Sequence, residues 1–108
     1  MKQLKEILKT LESAKAEEIR FKNLQQQSTL CDFIIIASGR SQRHIKAIAD
    51  HLLKHLKKFG YQNIQIEGYT HDTWILIDTG DLIVHILHPE RRSFYNLEEI
   101  WISNPIMP

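Results

Sequence analysis

The chain has 108 residues, 43% hydrophobic and 25% charged, with a net charge of +1, which predicts one domain spanning 1–108 and excludes a disordered chain. One cysteine, Cys31, excludes an internal disulfide, and no apolar run longer than Phe33 to Ala37 is available to span a bilayer or form a signal peptide, so a cytoplasmic protein is expected. The charge is unevenly placed: residues 1–60 carry twelve Lys/Arg against six Asp/Glu, and residues 61–108 carry two against seven, a contrast that suggests interaction faces unless the halves mix on folding.

Leu4, Ile7, Leu8, Leu11 and Ala14 recur at helical spacing and predict an amphipathic helix over about 2–15. Ile19 and Phe21 alternate with Arg20 and Lys22, the pattern of a half-exposed strand. Phe33-Ile34-Ile35-Ile36-Ala37 is continuous and β-branched, which predicts a strand covered on both faces. A second helix is expected from a cap at Ser41 to about Lys58, with Ile45, Ile48, Ala49, Leu52, Leu56 and Phe59 as its buried stripe and Gly60 as its stop. A short strand follows over Asn63–Glu67, then a hairpin over about 73–88 turning at Thr79-Gly80. A last helical turn is expected from Asn96, with Glu99 at the capping-box position. The order α-β-β-α-β-β-β-α implies a mixed α/β fold, with a mixed sheet of about five strands flanked by helices.

Several residue sets invite a chemical reading. The turn Ser38-Gly39-Arg40-Ser41 between a strand and a helix offers a phosphate cradle, but it lacks the glycine spacing of a nucleotide loop and reads first as an ordinary capped helix start. Asp78 and Asp81 flank the hairpin turn without a third acid nearby; Asp is also a common turn residue. His44, His51 and His55 share a helix face with no acid placed as in a zinc protease motif, so a solvated face is expected there. His85, in mid-strand, reads as a hydrogen-bonded, half-buried residue. No nucleophile and base can be paired by spacing, so neither catalytic residue, metal nor cofactor is assigned.

Trp74 carries more weight. Strand alternation sets it with Leu76 and Asp78 on one face, against Ile75 and Ile77 on the other. The isoleucine face makes the better core. Trp74 and Leu76 are then either the apolar centre of a protein-binding patch or packed beneath a helix.

Three motifs resemble a known family. They are Cys31 to Asp50 (CDFIIIASGRSQRHIKAIAD), the pattern E-G-x-x-x-x-x-W-x-L-x-D-x-G-D from Glu67 to Asp81, and the closing Val84-His85-Ile86 with Arg92 to Trp101 (RSFYNLEEIW). Together they are similar to the Iojap-like ribosomal silencing factors over nearly the whole chain. The resemblance implies a fold related to the nucleotidyltransferases without their catalytic carboxylates. It implies a non-enzymatic factor that binds the large ribosomal subunit at its fourteenth ribosomal protein, blocks joining of the small subunit and so represses translation. The alternative functions are large-subunit assembly and a metal-dependent nucleotidyltransferase-like activity. The partner-binding residues expected are Glu67, Asp72, Trp74, Leu76, Asp78 and Tyr95. The expected partner is the large ribosomal subunit, with ribosomal RNA contact secondary, a homodimer compatible with an exposed edge strand, and no membrane.

Overall fold

The structure, a computed structural model, describes residues 2–26, 31–69 and 73–90. The helical turn expected from Asn96 lies outside the described residues, as do Asp72 and Tyr95. The described elements are helix α1 (Lys2–Ser13), strands β1 (Glu17–Asn23) and β2 (Phe33–Ser38), helix α2 (Gln42–Lys58), and strands β3 (Gln65–Glu67), β4 (Trp74–Asp78) and β5 (Leu82–Leu87). The strands form one sheet in the order β1-β2-β5-β4-β3. β2 and β5 run parallel at its centre, and the remaining pairs are antiparallel. This is the mixed five-stranded α/β architecture that the sequence predicts.

Successive side chains on a strand point to opposite faces, so each central strand supplies two sets of residues. Phe33, Ile35 and Ala37 of β2, Ile75 and Ile77 of β4, and Leu82, Val84 and Ile86 of β5 are buried in one cluster with Ile7 and Leu11 of α1 and Ile45, Ile48, Leu52 and Leu56 of α2. Both helices therefore cover the same face of the sheet. Each such side chain contributes about 1.5–3 kcal/mol of burial free energy, which makes this layer the core. β2 is buried along its whole length, as its unbroken apolar run predicts.

The second helix has defined ends. Ser41 is extended, and its Oγ accepts the His44 N–H at 3.1 Å. At the other end, Gly60 adopts φ +90°, its N–H donates to the Lys57 carbonyl, and the Tyr61 N–H donates to the Leu56 carbonyl. That pair of bonds closes the helix on a left-handed residue, a conformation that glycine adopts without strain.

The structure corrects several local expectations. The first helix ends at Ser13, and β3 begins at Gln65, after Asn63 at positive φ. Phe21 is 52% exposed: β1 lies at the sheet edge, and the Phe21 ring lies beside that of Phe33 with centroids 6.4 Å apart. Phe59 is 40% exposed because it is the cap of α2, beyond the reach of the sheet. The α2 histidines are not a solvated face. They are half-buried: His44 Nε2 lies against the Ala14 carbonyl at 3.1 Å and His51 Nε2 against Ser13 Oγ at 2.8 Å, so these two fasten α2 to the end of α1, while His55 Nδ1 bonds the His51 carbonyl of its own helix.

Candidate functional site

The face of the sheet turned away from both helices is built from the other set of strand residues. Register neighbours share a face, so the pairing lays them out in rows. One row runs Trp74, Leu87, Ser38, Glu17 from β4 to β1. The next runs Glu67, Leu76, His85, Ile36, Arg20 from β3 to β1. A third runs Gln65, Asp78, Ile83, Ile34, Lys22. Read across the strands, Glu67 and Asp78 stand at the β3–β4 side, apolar residues at the centre, and Arg20, Lys22 and Glu17 at the β1 edge. With neighbouring strands roughly 4.8 Å apart, the two charged margins are separated by about 19 Å.

Ile34, Ile36 and Leu87 are buried with Leu24 and Cys31 in a second apolar cluster, and Trp74 and Ile83 are partly buried against it. Leu76 and Asp78 are half-buried and Glu67 is exposed. Four of the six residues expected from the sequence, Glu67, Trp74, Leu76 and Asp78, are thus brought together on one face. Trp74 does not pack beneath α1 or α2.

His85 is the residue of this face that sequence reasoning leaves out of the set. It is only 6% exposed, more enclosed than expected, and its Nδ1 lies 2.9 Å from Trp74 Nε1, with the ring centroids 5.8 Å apart. Indole N–H can only donate, so Nδ1 is the acceptor and the imidazole proton resides on Nε2. Burial lowers the His85 pKa from 6.5 to about 4, so the ring is neutral at physiological pH. The signal is present in the sequence: across a hairpin turning at 79–81, Leu76 faces His85 and Trp74 stands diagonal to it.

The hairpin acids are engaged in turn chemistry. Asp78 Oδ1 accepts the Gly80 N–H at 2.8 Å, and Asp81 Oδ1 accepts the Thr79 hydroxyl at 2.9 Å, with Gly80 at φ +99°. Burial, then the charges of Asp78 and Asp32, raises the Cys31 pKa and keeps its thiol protonated. No group of three His, Cys, Asp or Glu among the described residues is placed to hold a metal ion.

The strand–turn–helix between β2 and α2 is occupied by its own contacts. Ser38 is buried, Ser41 caps the helix, the Arg40 N–H donates to His44 Nδ1 at 3.0 Å, and Arg40 Nε donates to Glu17 Oε2 at 2.7 Å. Where β3 ends, the Tyr69 hydroxyl donates to Asp50 and Lys46 Nζ sits 5.6 Å from the Tyr69 ring, so this end of the acidic margin is held against α2. No helix among the described residues is long and apolar enough to cross a membrane.

Comparison with known proteins places these features in context. The family model described as ribosomal silencing factor during starvation matches residues 1–107. The ribosomal silencing factor RsfS of Halalkalibacterium halodurans is 37% identical, over 88% of this chain and 81% of that protein. The RsfS of Zymomonas mobilis is 41% identical, over 91% of this chain and 74% of that protein. A crystal structure of a Chromobacterium violaceum protein superposes with a TM-score of 0.83 at 32% identity, covering 88% of this chain and 79% of that one. A mouse protein named mitochondrial assembly of ribosomal large subunit protein 1 is 32% identical over 88% of this chain, which spans 43% of that longer protein.

Proposed function

The chain belongs to the ribosomal silencing factor family, and from that membership we propose that it binds the large ribosomal subunit at its fourteenth ribosomal protein and keeps the small subunit from joining. The observation that carries this reading is the placement of Trp74 and Leu76, half-buried on the face opposite α1 and α2, beside exposed Glu67 and the turn acid Asp78. An aromatic anchor at an apolar centre with a charged rim is the anatomy of a protein-binding patch. Ribosomal proteins are basic, so the acidic margin steers the encounter and fixes its direction. Asp72 and Tyr95, outside the described residues, complete the proposed contact set.

The action is occupancy and needs no catalysis. A micromolar complex corresponds to about −8 kcal/mol, within reach of an interface of roughly 800 Å² per partner. The protein works in the cytoplasm, where ribosomes are. Contact with ribosomal RNA is secondary, and a second copy of the chain is a further partner to be tested by its oligomeric state.

Trp74→Ala tests the reading directly. It is expected to weaken co-sedimentation with isolated large subunits by about 2 kcal/mol or more, the range of an interface hot spot. A folded variant that co-sediments unchanged removes Trp74 from the site. A subunit-joining assay with purified ribosomes tests the outcome: joining that proceeds freely in excess protein ends the proposal of occlusion.

Large-subunit assembly is the second reading, favoured by the name of the mouse relative. The same face serves either role. Accumulation of immature subunits on deletion, with mature subunits joining normally, would select assembly. The nucleotidyltransferase-like reading is the less favoured, because Arg40 and Ser41 of the β2–α2 turn already have partners in His44 of α2 and Glu17 of β1.

A further inference from the structure

A tryptophan in a binding patch has two ways to meet a partner: through its ring or through its N–H. Here the choice is already made. The Trp74 Nε1–H donates to His85 Nδ1, and His85 is enclosed in the sheet with Leu76 and Ile36 on either side in its row. The acceptor therefore belongs to the fold and not to solvent. Because that acceptor is on β5, the indole is drawn across β5 toward the buried cluster of Leu87, Ile34 and Ile36, and away from Glu67 on β3.

We propose that His85 is a positioning residue for the binding face: it holds the Trp74 indole across β5 with its N–H engaged, so that the partner meets an apolar π surface and not a hydrogen-bond donor. This rests on the reading that the Trp74 face binds the large subunit. The partner side chain seated on the indole is then aliphatic or cationic. A lysine or arginine gains from the ring face itself. The neutral state of His85 agrees with this role, since a doubly protonated ring has no lone pair to accept with. Fixing the indole before binding removes the ordering cost of a rotatable side chain at the interface.

The test measures affinity of the full chain for isolated large ribosomal subunits. His85→Leu removes the acceptor and keeps the position apolar. His85→Asn restores an acceptor near the place of Nδ1. Trp74→Phe keeps a ring but has no N–H to hold. We expect His85→Leu to weaken binding about tenfold and His85→Asn to recover most of that loss. In a Trp74→Phe background, His85→Leu has little further effect, because the bond it breaks is already gone. The chain has two tryptophans, so a Trp101→Phe background isolates Trp74, whose emission becomes red-shifted and less anisotropic in His85→Leu. If His85→Leu binds like the parent while Trp74→Ala binds weakly, the positioning role is overturned and the functional reading stands. If His85→Leu is as damaging in the Trp74→Phe background as in the parent, His85 acts on the fold at large and the inference is overturned. If Trp74→Ala binds normally, the functional reading fails and the inference fails with it.

Discussion

The two faces of the sheet are made by the same strands and could hardly differ more. Beneath the helices, Ile35, Ile75, Ile77, Val84 and Ile86 are fully buried among other aliphatic side chains. On the opposite face the residues interleaved with them include a tryptophan, a histidine, an acid and two cations at the edge. One face satisfies the requirements of folding by apolar contact alone. The other keeps polar groups that folding by itself does not need, held by specific bonds or standing at a margin. The period-2 geometry of a strand lets both sets coexist, because neighbours in sequence never share a face.

Adjacent substitutions on β4 should separate the two faces most sharply. Ile77→Ala opens a cavity in the helix-covered core and is expected to cost about 2–5 kcal/mol in urea unfolding. Leu76→Ala, one residue earlier on the half-buried free face, should cost less than half as much in stability but weaken large-subunit binding. Equal losses of stability at both positions would mean that Leu76 is core as much as Ile77. Loss of binding at Ile77 in a variant that remains folded would mean that the faces are not independent.

His85 is where the free face acquires a stability cost. The unfolded chain takes up a proton near pH 6.5, whereas burial holds the folded pKa at about 4. Between those values the unfolded state binds more protons, so this contribution is fully present above pH 6.5 and is lost as the pH falls toward 4. The gap amounts to ~3 kcal/mol at most. His85→Asn does not titrate there. Urea unfolding at pH 7 and pH 4.5 should show the parent losing more stability than the variant. Parallel losses would assign the acid sensitivity to other groups.

The sequence makes one face more legible than the other. The run Phe33 to Ala37, the stripe from Ile45 to Leu56, and the caps at Ser41 and Gly60 all follow from local periodicity and backbone chemistry, and they are found where expected. Trp74, Leu76 and Asp78 are also readable as one face, because alternation within a strand is a local property. What stays hidden depends on neighbours distant in sequence. Phe21 is uncovered because β1 is an edge strand, and nothing within its own heptapeptide says so. His44 and His51 read as solvated because the sequence does not say that α1 ends beside them. The Trp74–His85 bond requires the hairpin register, which a turn placed one residue differently would change.

Ser41 belongs to the helix layer, and its loss should register in stability alone. Ser41→Ala leaves the first turn of α2 without its side-chain acceptor and is expected to cost about 1 kcal/mol, with binding to large subunits unchanged.

The smallest effect is expected at Arg40, and it bears on whether the face opposite α1 and α2 is the one working surface. Arg40 and Glu17 form a short ion pair, but their side chains are 74% and 43% exposed, so water and salt screen it. Arg40→Gln should cost well under about 1 kcal/mol and leave binding unaltered. The same residue stands in the β2–α2 turn that the sequence offers as a phosphate cradle. Calorimetry with nucleoside triphosphates and magnesium should therefore give no heat in the parent protein. Heat that disappears in Arg40→Gln would establish a second site at the β2–α2 turn, because that variant leaves Trp74, Leu76 and Glu67 in place. The division of labour between a folding face and a working face would then need a third surface, built where β2 passes into α2.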